Sequence, residues 1–113
     1  MEKFIAQMKD FLKMESELPY EEFTAYYQDF INFLNTDFQS LDQENLLNAK
    51  FISSILHMNA EERGKGKGPN AKKFKKMAEK GKFWADAINY KLLKAGMTQE
   101  QIDKAYADIN EAM

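Results

Sequence analysis

Between Arg63 and Lys94 the chain gathers the groups best able to hold an anion. The stretch opens as RGKGKGPN and runs on as AKKFKKMAEKGKFWADAINYKLLK, with eleven of the 16 basic residues and only two acids, Glu79 and Asp86. Its side-chain charge is +9, against −8 for residues 1–62 and −3 for residues 95–113, which leaves the whole chain at −2. Clustered ammonium groups can displace counterions from a phosphate backbone or meet the carboxylates of an acidic protein surface. At about 100° per residue, Lys72, Lys76, Phe83, Tyr90 and Lys94 share one side of a helix, and Ala87 leaves that side uncrowded. Lysines that take up charge beside rings that can stack are the division of labour found on single-stranded nucleic acids. The seven-residue interval from Phe83 to Tyr90 equally suits a seam against another helix, whether of a partner, a second copy or the chain's own first or second helix. The expected binding residues are Arg63, Lys65, Lys67, Lys72, Lys73, Lys76, Lys80, Phe83, Tyr90 and Lys94.

Other chemistry is less well provided for. His57 is the only histidine and stands one helical turn before Glu61, on a polar stripe with Lys50 and Ser54. One imidazole and one carboxylate fall short of a metal set, which in helical bundles draws ligands from several helices, so a boundary ion pair is expected. Adjacent acids such as Glu21 and Glu22 diverge around a helix rather than converge on a substrate. RGKGKGPN lacks the GxxxxGK[ST] pattern and its magnesium-binding hydroxyl, and no strand precedes it. The pair of helices in KLLKAGMTQEQIDKAYADIN has the outline of a helix-turn-helix. Its second helix, however, carries Glu100, Asp103, Asp108 and Glu111 against Lys104, the wrong sign for a major groove. These readings imply no catalysis, no metal and no cofactor.

The elements that must position the basic stretch are helical. Valine is absent and threonine occurs only at positions 24, 36 and 98, so the β-branched residues that strands favour are scarce. Met1, Phe4, Ile5, Met8, Phe11 and Leu12 recur at helical spacing, which predicts a helix to about Glu15. Leu18 and Pro19 break it, and a second helix is expected over Tyr20–Asn35, with a stripe of Phe23, Tyr26, Tyr27, Phe30, Ile31, Phe33 and Leu34 broad enough for two neighbours. Ser40 with Gln43 forms a possible capping box, with Asp42 as the rival cap, ahead of a third helix that ends near Arg63. That helix is apolar most of the way round, which marks it as central.

Gly64, Gly66, Gly68 and Pro69 form a Gly/Lys hinge, and Asn70 can cap a fourth helix that keeps its apolar phase through Gly81. Gly96 serves as a C-terminal cap residue, and Thr98 with Gln101 is a second capping box before a fifth helix over Gln99–Ala112. A single all-α domain, residues 1–113, is expected: a bundle of about five helices with the third and fourth as a central hairpin. No cysteine is present and no apolar run approaches the length of a membrane span, so a cytoplasmic protein without membrane attachment is expected. The functional expectation is a small interaction or regulatory module that binds an acidic protein partner or its own copy through the basic and aromatic face. Binding of nucleic acid or another polyanion by the 63–94 segment is the alternative.

Overall fold

Apolar residues at three- and four-residue spacing fold into five α-helices in a computed structural model that describes residues 1–113: α1 Glu2–Leu12, α2 Tyr20–Asp37, α3 Gln43–Gly64, α4 Ala71–Lys94 and α5 Gln99–Ala112. A single 3₁₀ turn, Phe38–Ser40, follows α2, and there is no strand. The architecture is an all-α bundle. α3 and α4 form an antiparallel hairpin with the densest contact in the molecule. Gly64 faces Ala71 and Lys75, while one helical stretch earlier His57 faces Ala78 and Gly81.

α3 is the central helix. Leu46, Ala49, Phe51, Ile52, Ile55, Leu56 and Ala60 are all buried, and they spread round the helix rather than along one stripe. α2 supplies Phe23, Tyr26, Tyr27, Phe30, Ile31 and Leu34 to the same core, and its width is used on two sides. Phe4 of α1 packs edge-on to Tyr26 and Phe30, while Tyr20 and Phe23 meet Phe74 of α4. α5 closes the open side of the hairpin with Ile102 fully buried and Tyr106 against Phe51.

The helix ends carry the details that position α4. Asp42, not Ser40, caps α3: its carboxylate accepts from the Asn45 N–H at 2.9 Å, whereas the Ser40 hydroxyl turns back to the Asp37 carbonyl. The earlier residue is still in the 3₁₀ turn, where its hydroxyl has a nearer acceptor. Thr98 and Gln101 form the expected capping box. Gly96, with φ of 106°, is the one residue in the left-handed region and ends α4. α1 stops at Leu12 rather than Glu15, closed by 3.2 Å bonds from the N–H groups of Lys13 and Met14 to the carbonyls three residues earlier, those of Asp10 and Phe11. α4 runs unbroken through Gly81, because the glycine lies against the α3 backbone at His57 and not at a bend. No helix is long and apolar enough to cross a membrane.

Candidate binding face on the fourth helix

The core side of α4 comprises Phe74, Met77, Ala78, Gly81, Ala85, Ile88 and Leu92, all buried. With that stripe turned inward, the opposite side must face water, and Lys72, Lys76, Lys80, Phe83, Tyr90 and Lys94 are all exposed there. The two rings are the most exposed large apolar side chains of the molecule, at 61% for Phe83 and 63% for Tyr90. Neither α1 nor α2 covers them. From Lys72 to Lys94 the face extends about 33 Å at the usual rise per residue.

The basic residues divide into two sets by what they touch. Four are engaged within the protein. Arg63 is turned inward, Lys65 lies 3.4 Å from Glu62, Lys82 lies 2.8 Å from Asp86, and Lys91 donates to the carbonyls of Phe38 and Gln39 at 2.9 and 3.2 Å while covering the Phe38 ring. The other seven, Lys67, Lys72, Lys73, Lys75, Lys76, Lys80 and Lys94, are exposed and none forms an ion pair. Lys94 sits 5.6 Å from the centre of the Tyr90 ring, and Lys73 sits 6.0 Å from that of Tyr20. Beside the seam, Phe83 meets Trp84 edge-on at 5.5 Å, and Trp84 in turn meets Phe38 at 5.2 Å. The exposed Phe83 ring is therefore seated on a row of partly buried aromatics.

Of the expected binding residues, Arg63, Lys65 and Lys67 precede α4 and lie off this face, and Arg63 alone is turned inward. Its side chain is only 9% exposed, its guanidinium carbon lies 4.3 Å over the Phe23 ring and 5.6 Å from that of Phe74, and Glu17 approaches Nε at 3.5 Å. A flat, weakly hydrated cation on a long apolar stem stacks where a lysine would stay in water. Burial lowers its pKa, and the charge of Glu17 opposes that shift. Two signals pointed to this placement: Arg63 is the only arginine of the chain, and it continues the buried series Ile52, Leu56 and Ala60 by one further turn. Lys91, absent from the expected set, ties α4 to the turn after α2, and nothing in its neighbours along the chain indicates a carbonyl more than 50 residues away.

His57 stands on the other flank of α4. Its Nδ1 lies 2.9 Å from the Ala78 carbonyl, which can only accept, so Nδ1 carries the proton, and Nε2 lies 3.2 Å from Glu61. The ring bridges α3 to α4 as a boundary residue, and no three His, Asp or Glu side chains converge around it. Compared with protein-family models, curated proteins and solved structures, the chain matches none.

Proposed function

We propose that the protein is a small interaction module whose α4 face docks an acidic protein segment, with Lys72, Lys73, Lys76, Lys80 and Lys94 meeting carboxylates and Phe83 and Tyr90 entering apolar gaps between them. The observation that carries this reading is the pairing of two largely exposed rings with unmatched lysines along one helix. Exposed aromatics of this size are the residue type most often found as binding hot spots, and a helix face offers them at fixed spacing. The N-terminus of α4 adds support. Its first turn has no acid, so Lys72 and Lys73 sit at the positive end of the helix dipole, an arrangement that opposes helix stability by roughly 0.3–1 kcal/mol per charge. Such a placement gains only when an anion arrives. A second copy is a poorer occupant than an acidic partner, because a two-fold pairing of this face sets lysines against lysines.

The reading is tested with a labelled amphipathic helical peptide rich in glutamate, leucine and phenylalanine, followed by fluorescence anisotropy. Binding is expected to weaken steeply with salt and to fall at least tenfold in Phe83→Ala/Tyr90→Ala. It is expected to vanish in Lys72→Glu/Lys73→Glu, a variant expected to melt no lower than the parent because it reverses the clash with the dipole. Loss of binding with unchanged or improved stability separates recognition from unfolding. Undetectable binding, or binding indifferent to these substitutions, overturns the proposal. A single-stranded oligonucleotide bound more tightly than the peptide, with a salt slope reporting several phosphate contacts, would move the same face to the nucleic-acid reading.

A further inference from the structure

A cavity of about 290 Å³ opens between α1, the segment after it, α2 and α3, and no residue of α4 lines it. Nine of its fourteen lining residues are apolar, Met8, Phe11, Phe23, Tyr26, Ile55 and Leu56 among them, and its one cation is Arg63. Nε of Arg63 is screened from solvent and has no hydrogen-bond partner, although the side chain is nine-tenths buried. An N–H left without an acceptor in such a place is costly, and a charged one more so. The nearest acid, Glu17, approaches to 3.5 Å from a side chain that is itself 71% exposed, so it stands at the mouth and does not fill the site. α1 ends early at Leu12, and this leaves Leu12 and Met14 as exposed apolar groups on the rim.

We propose that this cavity binds a small monocarboxylate with an apolar tail, its carboxylate displacing Glu17 from Arg63 and its tail lying against Phe11, Tyr26 and Leu56. A carboxylate matches the planar fork of a guanidinium, offering Nε and a neighbouring Nη two parallel acceptors, while the rings of Phe23 and Phe74, 4.3 and 5.6 Å from the guanidinium carbon, help hold the fork in place. Glu15 and Glu17 at the entrance disfavour a doubly charged head such as a phosphate monoester. The volume lies near the lower end of the roughly 300–1,000 Å³ of ligand clefts, which suits one chain of medium length and excludes a two-chain lipid.

Isothermal titration of the full chain with decanoate, below its micellar range, and with 1-decanol tests this. Decanoate is expected to bind and decanol to bind at least tenfold more weakly, because the tail is shared and only the head differs. Glu17→Gln, a change on the exposed loop, removes the internal competitor and is expected to tighten decanoate binding several-fold, while Arg63→Gln is expected to abolish it. Because Arg63→Gln also loses the stacking that joins α2, α3 and α4, Glu17→Gln is the deciding variant. No heat with decanoate, equal affinity for decanol, or an unchanged or weakened affinity in Glu17→Gln would each overturn the proposal.

Discussion

Tyr26 joins α1 to α2 through both ends of its side chain. The ring is buried between Phe4 and Phe11, edge-on to each, and the hydroxyl donates to the Phe4 carbonyl at 2.8 Å. Burial pushes its pKa well above the ordinary phenol value near 10, and burial raises those of Tyr27 and Tyr106 in the same direction. The sign follows from linkage. A group whose native pKa is raised contributes stability that is complete below its unfolded value and is lost as pH climbs through the native one, so the fold should weaken above about pH 10 and not in neutral solution. Tyr26→Phe keeps the ring packing, loses one hydrogen bond and leaves the Phe4 carbonyl without that donor. It is expected to lower stability by about 0.5–1.5 kcal/mol at pH 7. It should also flatten the alkaline decline, since one of the three shifted phenols is gone. Urea titrations of both proteins at pH 7 and pH 10.5 measure both effects, and a parallel decline in the two would remove Tyr26 as its source.

The α3–α4 hairpin depends on close backbone approach as much as on large side chains. A Cβ built at Gly81 would meet the backbone N of His57 at 3.1 Å and its Cα at 3.2 Å, atoms of the central helix that cannot swing aside. Gly81→Ala therefore sets two effects in opposition: alanine favours the helix by about 1 kcal/mol, while overpacking commonly costs roughly 1–3 kcal/mol. Overpacking should prevail, because the obstructing atoms are backbone. The expected result is a lower melting temperature, with the bond from His57 Nδ1–H to the Ala78 carbonyl weakened as the helices part. A variant that melts higher than the parent would show that α3 yields. Apolar spacing made this hairpin and the other helices legible from the sequence, since a periodic stripe is a local property that survives into the fold. The end of α1 was not legible: Leu12 keeps the apolar phase, but the residues after it have no partner to cover them, and no local pattern records a missing partner. The choice of Asp42 over Ser40 was open for the same reason, as it turns on where the 3₁₀ turn after α2 ends.

Across the molecule, positive charge is concentrated in one hairpin arm and its leading loop, while acids dominate the rest of the chain. The seam of lysines and rings on α4 was legible in the sequence because exposure there follows from burial of the opposite stripe. The inward turn of Arg63 and the carbonyl tie of Lys91 were not, because both depend on rings and backbone brought in from α2 and the turn after it. What remains on the surface is an apolar pair, Phe83 and Tyr90, bordered by Lys80 and Lys94, and such pairs invite association unless charge opposes it. The lysines thus have a second consequence besides attracting acids, which is to keep copies of the protein apart. The parent chain is expected to sediment as a 13.2 kDa monomer near physiological salt. Lys72→Gln/Lys76→Gln/Lys80→Gln/Lys94→Gln, which removes four charges and leaves both rings in place, is expected to self-associate at the same concentration, and adding Phe83→Ala/Tyr90→Ala should restore the monomer. Sedimentation velocity on the three proteins distinguishes the cases. A parent that is already dimeric, and becomes monomeric only when the rings are removed, would make the second copy the occupant of this face, in place of an acidic partner.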